Sequence, residues 1–171
     1  MYQILKKIIT TGLLTEEKPP VNDDWVIKST LNESISKAFG RSLAIRHVDA
    51  GSCNGCELEI HALNNPFYNI EGLGICFVAS PRHADLLLVT GPVSLHMVVA
   101  LKRTYEAMPN PKLVVATGNC GCTGGIFGET YATCGAVGKI IPVNVEVPGC
   151  PPSPNAILQG ILTAVQQKKQ G

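Results

Sequence analysis

The sequence predicts an α/β protein built on a doubly wound, mainly parallel sheet. Three observations carry that expectation. Short apolar runs rich in branched residues recur at 75–79, Leu86–Thr90 and Leu113–Thr117, and read as strands buried on both faces. Stretches of helical length and periodicity separate several of them. Glycine- or proline-flanked loops follow the strand candidates, and in an open parallel sheet such loops converge on one crevice at the carboxyl ends.

In chain order, residues 1–14 place Ile4, Leu5, Ile8, Ile9 and Leu13 at helical spacing, with Lys6 and Lys7 on the other side. This predicts a short amphipathic helix, packed on protein or lying along a bilayer. Residues 16–24, with Pro19 and Pro20, read as a linker, and 30–37 as another helix. Residues 1–41 are thus an N-terminal helix and linker, and 42–171 the α/β domain. Residues 42–48 alternate as a strand and run into the loop 49–56. A helix over 57–63 ends at Asn64-Asn65-Pro66. Residues 94–108 form the next helix, 121–128 a glycine-rich loop, and 140–147 the last strand. Ser153 is an N-cap with Pro154 at the first helical position, and Ile157, Leu158, Ile161, Leu162 and Val165 make the buried stripe that follows.

The 171 residues suit one domain, and a hydrophobic content of 45% suffices for a core. A net charge of +1 and few aromatics remove the case for nucleic acid. No stretch reaches the roughly 20 apolar residues of a membrane span. Seven cysteines in a long, apolar chain without a secretion signal point to reduced thiols in a cytoplasmic setting, not to a disulfide scaffold.

Four of these cysteines sit in loops after strand candidates. Cys53 and Cys56 lie in Gly-Ser-Cys-Asn-Gly-Cys, Cys120 in Gly-Asn-Cys-Gly, and Cys150 in Pro-Gly-Cys-Pro-Pro. Four thiolates brought to one crevice are the ligand set of a [4Fe–4S] cluster. A Cys-x-x-Cys pair alone also serves zinc sites and redox disulfides. A zinc ribbon wants a second pair, however, and a redox pair has no use for two distant cysteines. Glycines at 51, 55, 118, 121 and 149 allow close backbone approach to a bulky anionic group. Cys122 competes with Cys120 as third ligand, and Cys120 is preferred because it follows the strand directly. Cys76 and Cys134 read as structural, as do His47, His61 and His96.

These motifs, together with Ser80-Pro81-Arg82-His83-Ala84-Asp85, Gly124-Gly125 and Pro148-Gly149-Cys150-Pro151-Pro152, resemble the small subunit of energy-converting, group 4 [NiFe] hydrogenases. That family is similar to the 20 kDa iron–sulfur subunit of respiratory complex I, in which the first two cysteines are adjacent. Here two residues separate Cys53 from Cys56, which favours the hydrogenase branch.

The resemblance implies a flavodoxin-like fold and one [4Fe–4S] cluster on Cys53, Cys56, Cys120 and Cys150. It implies a nickel–iron centre on a separate large subunit, a ferredoxin-like polyferredoxin partner and integral membrane subunits that move ions. The chain itself would be peripheral, on the cytoplasmic side of the membrane. A complex I-like quinone or ferredoxin oxidoreductase is the alternative assembly. Glu57 is expected either to relay protons at the large-subunit interface or to be an ordinary acid of a helix N-terminus. Arg82 is expected near the cluster or at that interface, and His83 as a proton-coupled neighbour or a loop residue.

Overall fold

The computed structural model describes residues 23–168 together with Tyr2, Lys6 and Thr10. These three positions are helical, and Thr10 Oγ1 donates to the Lys6 carbonyl at 2.8 Å. The rest of the helix expected over residues 1–14 lies outside the described residues, as do residues 16–22 of the linker.

Five strands form one parallel sheet: β1 Leu43–Asp49, β2 Ile75–Phe77, β3 Leu86–Thr90, β4 Leu113–Thr117 and β5 Val145–Val147, in the spatial order β2-β1-β3-β4-β5. This is the flavodoxin-like order, whose switch point lies between β1 and β3. The helices are α1 Asp23–Phe39, α2 Gly55–Ala62, α3 Val98–Ala107, α4 Gly118–Thr123 and α5 Pro154–Lys168.

Side chains alternate across each strand, so β1, β3 and β4 feed two cores. Leu43, Ile45, Leu86, Leu88, Leu113 and Val115 pack with Leu31 and Ile35 of α1, Ile60 of α2, and Ile157, Leu158 and Ile161 of α5. Val48, Leu87, Val89, Val114 and Ala116 pack on the other face with Leu101 of α3 and Cys122 of α4. This two-sided burial is why β3 and β4 are apolar at nearly every position. Each fully buried Leu or Ile contributes about 1.5–3 kcal/mol.

The helix read over 30–37 is longer than expected. It starts at Asp23, inside the segment read as linker, because Ile27, Leu31 and Ile35 form one stripe against the core. Helix α1 therefore packs on the same core as the strands that follow it. Helix α5 starts as read, with the Ser153 hydroxyl accepting the Ala156 amide at 3.3 Å.

The starts of β1 and β3 are clamped by Asp85. Its nearly buried carboxylate accepts from Arg41 Nη2 at 2.8 Å and from the Ala44 amide at 3.1 Å. Replacing Asp85 with alanine leaves that amide unsatisfied, and a loss of about 1–3 kcal/mol in urea unfolding is expected. An unchanged midpoint would show that water satisfies both the Ala44 amide and the largely exposed Arg41 in its place.

Candidate metal centre

The carboxyl ends of β1, β3, β4 and β5 carry the site. After β1 the chain turns sharply, with Asp49 Oδ1 accepting the amides of Gly51 and Ser52 at 2.8 and 2.7 Å. Burial alone would raise the Asp49 carboxyl. The Ser52 and Gly51 amides and the Ser52 hydroxyl outweigh burial and hold it below its ordinary value. The turn is tied to β3 by the Ala50 amide, which donates to the Thr90 carbonyl at 2.9 Å. Asn54, in the left-handed region at φ 71°, then starts α2, whose first turn carries Cys56 and Glu57.

After β4, α4 carries Cys120. The Asn119 amide donates to the Gly149 carbonyl and the Asn119 side-chain oxygen accepts the Gly149 amide, both at 2.8 Å. This reciprocal pair joins the Cys120 segment to the Cys150 loop. Cys120 thus sits in a short helix, which runs to Thr123 and takes up the start of the loop expected over 121–128.

Cys53, Cys56, Cys120 and Cys150 line one cavity of about 140 Å³, together with Gly91, Asn119 and Pro151. None of the four is in a disulfide. Four free thiols around one cavity are a donor set that suits an iron–sulfur cluster. Among the described residues, no three His, Cys, Asp or Glu side chains converge on a common metal position. The thiolates of a cubane stand around a volume, each on its own iron, whereas zinc draws its four ligands to one point.

The backbone leaves room beside the sulfurs. A Cβ on Gly118, at φ +84°, would lie 2.6 Å from Cys56 Sγ, and a Cβ on Gly125 would lie 2.8 Å from Cys120 Sγ. The charge balance agrees. Burial, then Glu57 and the neighbouring Cys53, Cys120 and Cys150, push the Cys56 thiol up to about 12. Burial, with Cys150 and Cys53, raises Cys120 as well. Cys56 and Cys120, two thiols that resist ionising beside further cysteines, need a cationic guest to become thiolates together.

Residues 53–164 match the family described as NADH ubiquinone oxidoreductase, 20 Kd subunit. The chain is 48% identical over 133 residues to a probable membrane-bound hydrogenase subunit of Pyrococcus furiosus, covering 78% of this chain and 80% of that one.

The chain belongs to the 20 kDa subunit family of these oxidoreductases.

Another member of the family, formate hydrogenlyase subunit 7 of Escherichia coli, is 44% identical over 146 residues. That match covers 85% of this chain but only 57% of that relative's length. Among solved structures, a chain of the membrane-bound sulfane sulfur reductase, an archaeal respiratory membrane complex, superposes with a TM-score of 0.68 at 34% identity. It covers 82% of this chain and 77% of that one. The resemblance and the flavodoxin-like fold it implied are both borne out.

The remaining candidates of this family member divide clearly. Cys122 points away from the cavity into the opposite core, with Sγ 3.6 Å from the Ala116 carbonyl. Burial, then Glu146, pushes its thiol up to about 11. Cys134 is half-buried against that same core, and Cys76 lies in β2.

Arg82 and His83 do not line the cavity. They form an exposed 3-10 turn, Pro81–His83, in the crossing from β2 to β3. The flanking Val78 and Asp85 amides donate to Ile45 and Ala44, at the opposite end of β1 from the cysteine turn. This crossover enters the front of β3, so the structure does not bring Arg82 to the cysteines at its back, and the exposed turn leaves Arg82 open to a partner, as its other reading expects. His83, on the same turn, is likewise removed from the cysteines.

Glu57 is buried beside Cys56, and neither carboxylate oxygen has a hydrogen-bond partner. His47 is the residue that sequence reasoning missed. Its Nε2 is 3.0 Å from Thr90 Oγ1 and 3.8 Å from Glu57 Oε1. Burial holds its pKa below the ordinary value, against the pull of Glu57 and Asp49. The available signal was period two: Ile45, His47 and Asp49 share one strand face and lead into the cysteine turn.

Proposed function

We propose that this chain holds one [4Fe–4S] cluster on Cys53, Cys56, Cys120 and Cys150. It would pass electrons between a ferredoxin-like subunit and the nickel-bearing large subunit of a membrane-associated [NiFe] hydrogenase. The single observation that carries the reading is the set of four free thiols around one cavity. When bound, the cluster supplies one-electron transfer. The chain's own residues hold the sulfurs, keep the backbone clear of them at Gly118 and Gly125, and join two of the ligand segments through Asn119. Glu57 stands in this reading as the carboxylate that takes up and releases a proton at the large-subunit face.

Exposed Ile126, Phe127 and Tyr131 follow the Cys120 segment, and Leu58 follows Cys56. These apolar side chains suit a covering partner. No helix among the described residues is long and apolar enough to cross a membrane. Membrane attachment would therefore come through integral subunits, with this chain on their cytoplasmic side.

The second reading is a complex I-like quinone or ferredoxin oxidoreductase that makes no H₂. It is favoured by the family's own description and by the sulfane sulfur reductase structure. The Cys53-x-x-Cys56 spacing favours the hydrogenase. The test is isolation of the complex from its native host. A brown complex whose large subunit carries two Cys-x-x-Cys pairs and nickel is expected. A brown complex without those pairs would leave the cluster and remove the hydrogenase, and a colourless one would remove both.

A further inference from the structure

Behind the cysteine cavity the sheet changes character on one face. Strand alternation puts His47 and Asp49 of β1, Thr90 of β3 and Thr117 of β4 on the face that elsewhere carries Ile45, Leu88 and Val115. Asp49 pairs in register with Thr90, and Thr90 with Thr117. Helix α2 lies over this polar row and presents Glu57 to it.

Glu57 is only 8% exposed and neither oxygen has a donor. A buried carboxylate left in that state is costly, by more than a typical hydrogen bond is worth. Among the described residues, His47 is the one basic side chain within ion-pair range of it. The same Nε2 faces Thr90 Oγ1, so a proton on Nε2 looks at two acceptors, one from the sheet and one from α2. A small rotation of the ring exchanges them.

We propose that His47 is a positioning residue for Cys56: with the ring turned from Thr90 toward α2, its Nε2–H donates to the Glu57 carboxylate and holds the first turn of α2 against the sheet. Cys56 and Glu57 are consecutive, so what fixes one fixes the backbone of the other. Cys56 Sγ reaches over the end of β4, 3.9 Å from the Thr117 carbonyl, where a misplaced turn moves the sulfur directly. The proposal rests on the reading of Cys56 as a cluster ligand, and its test separates the two.

In the full chain with its cluster, His47→Leu removes the donor, while His47→Gln places an amide N–H near the position of Nε2. Iron loss to bipyridyl is expected to quicken about tenfold in the Leu variant, the worth of one buried hydrogen bond. The electron paramagnetic resonance line shape of the reduced cluster should change with it. The Gln variant should stay within about twofold of the parent on the same scale. In a Glu57→Ala background, His47→Leu should add nothing further. Equal rates and line shapes in the parent, Leu and Gln chains would overturn the proposal, as would additive effects with Glu57→Ala.

If the parent chain binds no iron, the ligand reading falls alone. Alkylation of Cys56 by iodoacetamide, followed by mass spectrometry, then decides the positioning role. The rate should differ between Leu and parent and be restored in Gln. Identical rates in all three would end the proposal.

Discussion

Replacing Cys150 with serine is expected to abolish or strongly distort the visible absorption of the full chain, whereas Cys122→Ser is expected to leave it intact. Both side chains are thiols in glycine-rich surroundings, and they lie 28 residues apart in a chain with seven cysteines. What separates them is the direction in which each points. Cys150 lines the cavity with Cys53, Cys56 and Cys120. Cys122 is buried among Val89, Val114 and Val137 on the far side of the sheet. A serine oxygen at position 150 is a harder and poorer partner for iron, and the exposure of this corner lets water compete. Iron content and absorption, read side by side, decide the case. An unaltered spectrum in Cys150→Ser would strike Cys150 from the ligand set. Loss of the spectrum in Cys122→Ser, with Cys120→Ser unaffected, would move the third ligand.

A single methyl group at Gly118 should do nearly as much damage. The Cβ of Gly118→Ala would stand 2.6 Å from Cys56 Sγ, at a backbone φ of +84° that L side chains rarely adopt. The strain costs about 1–3 kcal/mol, and the collision is relieved only by moving the sulfur or the start of α4. Unfolding should report the first cost, and iron loading of the purified chain, down roughly tenfold or more for about 1.4 kcal/mol or above of misplacement, the second. Gly138→Ala is the control, because a Cβ there meets nothing within 4 Å. Its stability should stay within about 0.5 kcal/mol of the parent. Full loading in Gly118→Ala would mean that the sulfur of Cys56 has no fixed place in the cluster.

Legibility in the sequence followed burial on both faces. Leu86–Thr90 and Leu113–Thr117 were read with their true limits because helices cover both sides of these strands and every position is buried. The last strand was read over 140–147 and is only Val145–Val147. Val137 and Ile141 are apolar because a 3-10 turn folds them into the second core. Pro142 has no amide to give a ladder, and Asn144 meets Val114 through both its backbone amide and its side chain. The helix read over 94–108 begins only at Val98. Ser94 is engaged elsewhere, donating its amide to Ala50 and bridging to Thr133. In each case the apolar pattern was correct about burial and silent about which partner did the burying.

By itself the sequence determined the fold class, the family and the four cysteines of the candidate site. Each of these is written in short-range chemistry: strand composition, glycine and proline at loop positions, and thiols in spaced motifs. Only the tertiary structure decided which cysteine turns into the opposite core and that Arg82 lies at the wrong end of β1. It alone brought His47 to Glu57, the one buried carboxylate without a donor among the described residues. Those facts depend on which face of the sheet a side chain leaves from and on what a crossing helix lays over it. Such distances join residues of separate strands and helices, and no local pattern along the chain encodes them.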